Sequence, residues 1–285
     1  MSTMTTVVTI TGTGCPIPQP DRAGPGVLVT YGDVHMQFDA GRSTVMRLMG
    51  ANSSPGQLSA VFLTHHHSDH TTGLQDIVLT RWTMNRGDQL DPLPIVAPEG
   101  PSVRFAERLL DIWDDDLEVR QSHTGRTDNP RIDVISFPNP DGVNEVWRHG
   151  DVVVKAGQVR HEPVQGAVGY RIETPDGIVA ITGDTLICDE VADLADGADV
   201  VVYEALRFSM IDDDAPNAFI KDYHADTAAI GKQAAALETP TLILTHLIPP
   251  PRNDAEEQAF ADDVRSGGYD GNLIVARDLT TVTLG

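Results

Sequence analysis

The chain has 285 residues, 40% of them hydrophobic, enough for one layered domain with a sizeable core. Its 20 basic against 42 acidic side chains give a formal net charge of −22. Such a surface repels long polyanions and argues against nucleic acid as a natural partner, because phosphate binding rests on Lys and Arg displacing condensed counterions.

Two cysteines, Cys15 and Cys188, are too few for a disulfide scaffold and predict a reducing compartment. No run approaches the roughly 20 apolar residues of a membrane span. The first residues lack a basic segment followed by an apolar one. Together these features predict a cytoplasmic protein with no membrane partner.

Apolar runs at residues 7–11, 27–31 and 34–38 predict strands, with 12–20 (GTGCPIPQP) an irregular loop between the first two. Residues 58–64 form another apolar run that stops at a histidine cluster. The stretch 71–84 predicts a helix opened by threonines able to cap it. Helical spacing over 101–114, with Pro101 at its start, predicts a second. The polar, interrupted sequence from 114 to 140 reads as a long loop or small insertion, with Asp114, Asp115 and Asp116 a solvated helix end. Strand character returns at 152–161, 177–182, 200–203, 241–245, 272–276 and 280–284, and helical character at 190–197 and 225–237. With no linker, repeat or low-complexity tract, this order predicts a single α/β domain over residues 1–285.

The strongest chemical signal is residues 64–70, THHHSDH, which places His65, His67, Asp69 and His70 directly after a strand. Imidazoles and carboxylates presented from a rigid support are metal ligands. His161, Asp184 and His246 each end an apolar run (VVVKAGQVRH, IVAITGD and TLILTH). They therefore project from strand ends, where α/β sheets place their sites. One such residue is an ordinary loop side chain; seven in this order are candidate ligands.

The pattern HxHxDH followed by a His, an Asp and a final His resembles that of the metallo-β-lactamase superfamily. The resemblance implies an αββα sandwich with its site at one edge of two sheets. It implies two divalent metal ions, one held by His65, His67 and His161, the other by Asp69, His70 and His246, with Asp184 bridging. Zinc is the family's usual metal, manganese and iron also occur, and relatives are often homodimers. Asp39 has the position of a support behind the ligands.

Gly12-Thr13-Gly14, Phe38-Asp39-Ala40-Gly41, Val202-Tyr203-Glu204-Ala205 and Tyr223-His224-Ala225-Asp226 resemble the ribonuclease Z and arylsulfatase-type branch. Residues 114–146 match it least. The family's tRNA-gripping arm is commonly inserted between the positions of His161 and Asp184. Here residues 162–183 leave no room for it, and His224-Ala225-Asp226 stands where ribonuclease Z has His-Ser-Thr. Both departures, with the acidic charge, favour the armless members.

Two metal ions sharing one water supply a hydroxide nucleophile near neutral pH and stabilise charge on an ester oxygen. His224 is then the expected general acid toward the leaving group, held by Glu204, and Asp69 joins them in the catalytic set. The expected substrate is a small-molecule ester, a phosphodiester or an aryl sulfate. Alternatives are lactone or carboxylic ester hydrolysis and, after these, ribonuclease Z-like tRNA 3′ processing. His66, between two ligands, faces elsewhere, and His35, His123 and His149 read as surface residues. Cys15 reads as an inert thiol, and Trp113 and Trp147 as packing residues.

Overall fold

The structure is a computed structural model describing residues 4–85 and 90–285. The first half of the chain supplies strands β1 (Thr6–Gly12), β2 (Gly26–Tyr31), β3 (Val34–Phe38), β4 (Leu58–Phe62), β5 (Leu93–Pro98) and β6 (Ile132–Phe137). Its helices are α1 (Thr44–Gly50), α2 (Ser68–Thr71), α3 (Leu74–Met84), α4 (Pro101–Glu107) and α5 (Asp114–Thr124). The second half supplies β7 (Asn144–His149), β8 (Val152–Gln158), β9 (Val168–Thr174), β10 (Gly177–Ile181), β11 (Val200–Leu206), β12 (Thr241–Ile248), β13 (Asn272–Val275) and β14 (Thr281–Thr283). Helices α6 (Asp189–Ala195), α7 (Thr227–Ala236) and α8 (Asp254–Ser266) fall among them.

These strands make two seven-stranded sheets, ordered β14-β1-β2-β3-β4-β5-β6 and β13-β12-β11-β10-β9-β8-β7. Each opens as an antiparallel meander and continues in parallel, β3 to β6 in the first and β10 to β13 in the second. The period of two in the sequence decides the layering. Ala60 and Phe62 of β4 face the core between the sheets, while Val61 and Leu63 face helices α1, α3 and α4. In β11, Val200 and Val202 face inward, and Val201 and Tyr203 pack with Val191, Ile230 and Phe260 of α6, α7 and α8. The result is the expected αββα sandwich. Among the described residues no helix is long and apolar enough to cross a membrane.

The stretch 114–140, expected as a long loop or a small insertion, is not a loop. It holds α5 and the edge strand β6, which pairs in parallel with β5. Only Leu117 of α5 is buried, and β6 exposes one side, so neither carries the apolar density that marks an element in sequence. The expected helix 101–114 ends at Glu107, and 71–84 divides into α2 and α3. The threonines do not cap α3; Gly73 stands at its N-cap without a side-chain bond. Helix α8 escaped the sequence reading, although Asn253 accepts from Glu256 N as an N-cap.

Phe62 is fully buried between the sheets, its ring 4.6 Å from Phe38, 5.5 Å from Tyr170 and 5.6 Å from Trp147. Phe62→Ala is expected to cost about 3–5 kcal/mol of unfolding free energy, measured by urea denaturation. A loss under about 1 kcal/mol would show that this layer does not hold the sheets together.

Candidate metal centre

Strand ends of both sheets meet at one point. From the first sheet come His65, His67, Asp69 and His70, on the turn that leaves β4 and opens α2. From the second come His161 beyond β8, Asp184 beyond β10 and His246 within β12. One ligand atom from each of His65, His67, His161 and Asp184 lies within 4.8 Å of the others, as do atoms of Asp69, His70 and His246. Asp184 Oδ2 sits between the groups, 3.3 Å from His70 Nε2, 3.5 Å from His246 Nε2 and 3.9 Å from both His65 and His161 Nε2.

The backbone is shaped to aim these groups. His246 has φ 47°, at the shift where Glu204 pairs with Thr245 but Ala205 with Leu247. It is thus the extra residue of a bulge, a device that redirects a side chain at a sheet end. Gly183, before Asp184, has φ 62°, and a Cβ there would stand 2.9 Å from the Thr64 side chain. The TGD turn therefore requires glycine to sit against the histidine strand.

The outward side of the rings is occupied. Asp39 Oδ2 pairs with His70 Nδ1 at 2.7 Å and accepts the Thr64 hydroxyl at 2.8 Å, while Thr64 Oγ1 stands 3.0 Å from His65 Nδ1. His161 Nδ1 donates to the Tyr223 carbonyl at 2.8 Å. Each bond turns the opposite nitrogen inward. There His65 Nε2 and Asp184 Oδ1 are buried with no hydrogen-bond partner among the described residues. Buried polar atoms are ordinarily paired, so converging orphans of imidazole nitrogen and carboxylate oxygen fit a bound cation.

Burial pushes His65 well below the ordinary histidine value, and burial with nearby His161 takes His67 to about 4. Burial also lowers His161. These rings are neutral near pH 7, the form that binds metal. For Asp184 burial resists ionisation, but His246 and His70 outweigh it and hold the carboxyl well below the usual range. Asp69 is lowered likewise, against burial, by His246 3.3 Å away. Burial acts against a charged His70, yet Asp184 and Asp39 raise it well above its ordinary value. The centre is an environment that attracts positive charge.

His224 lies beside it, grouped with Asp184 and His246, its ring 5.2 Å from that of His161. Its Nδ1 donates to Glu204 Oε1 at 2.9 Å, and the Ala225 and Thr185 amides hold the same oxygen at 3.1 and 3.2 Å. Burial opposes the charged ring, but Glu204 and Asp184 raise it to about 9.

The remaining sequence candidates fall elsewhere. His66 is half-buried beside the centre, and His123 and His149 are exposed. His35 is half-buried rather than at the surface, with Nδ1 2.7 Å from Ser53 Oγ. Cys15 and Cys188 are buried free thiols. Trp147 packs on the inter-sheet core, and Trp113 reaches Gln75 at 3.4 Å. Thr64 and the Tyr223 carbonyl carry no sequence signal; only their neighbours in the motifs mark them.

A two-sheet sandwich with this centre at its edge defines a class, and the chain belongs to the metallo-β-lactamase superfamily: the family described as "Beta-lactamase superfamily domain" matches residues 36–247. Within it, the chain is 33% identical to "Ribonuclease Z" of Mycobacterium bovis, over 96% of this chain and 97% of that protein. Among solved structures it resembles the metallo-β-lactamase-fold protein YhfI of Bacillus subtilis, with TM-score 0.75, 19% identity and coverage of 98% and 99% of the two chains. It also resembles the short form of human tRNase Z, with TM-score 0.69, 21% identity and coverage of 98% and 99%.

His224 gives a signed pH prediction for the chelated protein. Its folded value lies above its unfolded one, so the Glu204 contact stabilises fully below about pH 6.5 and the benefit disappears as pH rises through about 9. Comparison of wild type with Glu204→Gln by urea denaturation should show a gap on the order of 3 kcal/mol at most at pH 6, closing by pH 9–10. A gap that widens over that range would contradict the pairing.

Proposed function

We propose that residues 1–285 form one hydrolase domain that holds two divalent metal ions and cleaves phosphodiester bonds. The reading is carried by one observation, a seven-donor His/Asp centre with the His224–Glu204 pair at its side. His65, His67 and His161 would hold one ion and Asp69, His70 and His246 the other, with the Asp184 carboxylate lying between the two sets. Zinc suits this donor set, as do manganese and iron. When bound, the ions supply Lewis acidity toward a phosphoryl oxygen and an activated water.

The protein's own groups do the rest. Asp39, Thr64 and the Tyr223 carbonyl fix the ligand rings, and Asp69 contributes its charge where it faces His246. Glu204 keeps the Nδ1 proton of His224 and so turns its Nε2 outward from the pair. Raised to about 9, this ring is protonated at neutral pH and gives its proton to the departing oxygen. An acid so placed matters most when the leaving group is a poor one, such as a sugar alkoxide, and the relative named Ribonuclease Z favours phosphodiesters over lactones. The aryl sulfate expected beside the phosphodiester draws no support from the relatives.

A second reading is RNA cleavage. The Mycobacterium bovis relative, matching 96% of this chain, is named Ribonuclease Z. That undercuts the argument from charge against a nucleic-acid partner and for a small-molecule ester.

Metal-loaded protein should turn over bis-p-nitrophenyl phosphate and lose that activity to a chelator. Parallel assays would use p-nitrophenyl sulfate, a simple lactone and a precursor tRNA. Turnover of the lactone alone would overturn the phosphodiesterase reading, and a higher kcat/KM on the tRNA would establish the second. Asp184→Asn should weaken metal binding at least tenfold, read as metal content after dialysis. His224→Ala should keep its metal but lose about 10²–10⁴ in kcat on a diester with an alkyl leaving group. Unchanged kcat there would remove His224 from the mechanism.

A further inference from the structure

The stretch between β11 and His224 forms one wall beside the centre, through two short 3-10 turns, Phe208–Met210 and Ala218–Asp222. Its inner side is anchored. Phe208, Ile211 and Ile220 pack against buried Cys15, Leu206 and Ile248. Lys221 lies 5.6 Å from the centroid of Phe208 and bonds Asp213 at 2.6 Å, and Arg207 bonds Asp263 at 2.6 Å. The Asp226 side chain accepts from Phe208 N at 3.2 Å and from Ala229 N at 3.3 Å, tying the segment to the start of α7.

Its outer side presents aromatic rings in series. The Tyr223 ring is 5.2 Å from His161 and 4.9 Å from His224, and Phe219 is 6.2 Å from Tyr223. Phe219 is 57% exposed, and it is the one aromatic residue among the exposed large hydrophobic side chains of the described residues. A lone exposed apolar residue is ordinary. This one ends a run of rings that begins at the metal centre, on an anchored segment.

We propose that Phe219, with Tyr223 behind it, forms the subsite for a planar ring of the substrate, and that this ring is the base of a nucleotide-sized phosphodiester. The inference rests on the phosphodiesterase reading above. Every nucleobase has a π-face that stacks on an aromatic side chain without sequence-specific hydrogen bonds. Charge sets the size. Both cations of the segment are engaged with carboxylates, and Asp212, Asp214 and Asp222 leave it negative. A polynucleotide crossing this rim would bring further phosphates against those carboxylates, whereas a mononucleotide or dinucleotide brings only the phosphate that the centre receives.

The test is calorimetric titration of metal-loaded wild type and Phe219→Ala with adenosine 5′-monophosphate and with ribose 5-phosphate, which has the phosphate but no base. Wild type should bind the nucleotide about 5- to 100-fold more tightly than the sugar phosphate, Phe219→Ala should lose that preference, and Phe219→Trp should keep it. In turnover of a dinucleotide, Phe219→Ala should raise KM by a similar factor and leave kcat within about twofold. Equal binding of the two ligands by wild type, or a preference intact in Phe219→Ala, overturns the subsite. Cleavage of an RNA hairpin at least as efficient as that of the dinucleotide overturns the size limit. A Phe219-dependent preference without cleavage of any diester upholds the subsite and defeats the phosphodiesterase reading instead.

Discussion

Asp184 is the constraint around which the rest is arranged. Its carboxylate is almost fully buried, and four imidazole nitrogens stand within 4 Å of one of its oxygens. A buried charge is tolerable only when compensated; His70, raised well above its ordinary value, supplies part of that compensation, while the neutral rings beside it compensate poorly. His65, His67 and His161 are driven toward neutrality, while Asp69 and Asp184 are held ionised. Their combined preference is for an added cation, and the hydrogen bonds behind the rings keep the lone pairs facing it.

Because the candidate ligands come from two sheets, this arrangement depends on a core remote from it. Stacked Phe38 and Phe62 and the Tyr170 ring occupy the space between the sheets. Tyr170 Oη donates to the Leu63 carbonyl at 2.7 Å, and Val168 N donates to the Thr64 carbonyl at 3.0 Å. Strand β9 is thus bonded to the residues that lead into the histidine turn. Displacement of one sheet against the other would carry His161, Asp184 and His246 away from the first-sheet ligands. Packing and site geometry are the same constraint here, since close-packed interiors transmit strain rather than absorb it.

What was legible in the sequence follows from how each feature is encoded. The ligand cluster is dense at 65–70, and His161, Asp184 and His246 each close an apolar run, so both show in one dimension. The layers show because both-face burial makes β4 and β11 nearly continuous apolar runs. Elements at the margins do not show in this way: β6 is an edge strand with one buried residue, and α5 and α8 are mostly polar. The bulge that aims His246 arises from the pairing of β11 with β12, and the Tyr223 carbonyl is a backbone group with no residue type to betray it. Features made by long-range pairing have no local signature.

Net charge is a coarse guide to partners for a related reason. It sums over a whole surface, and at physiological salt charges beyond about 8 Å are largely screened. A substrate responds to the few groups around the centre, whatever the total of −22. Those groups belong to different structural classes. The ligands sit on or just beyond strand ends, fixed by two sheets, while the wall beside them is a segment of short turns held by its own small apolar cluster. Between His161 and Asp184 the chain runs through the paired strands β9 and β10. The segment between β11 and His224 lies outside the strands that position the candidate ligands, so the strand ends fix the centre while a connecting segment of this kind shapes only what stands beside it.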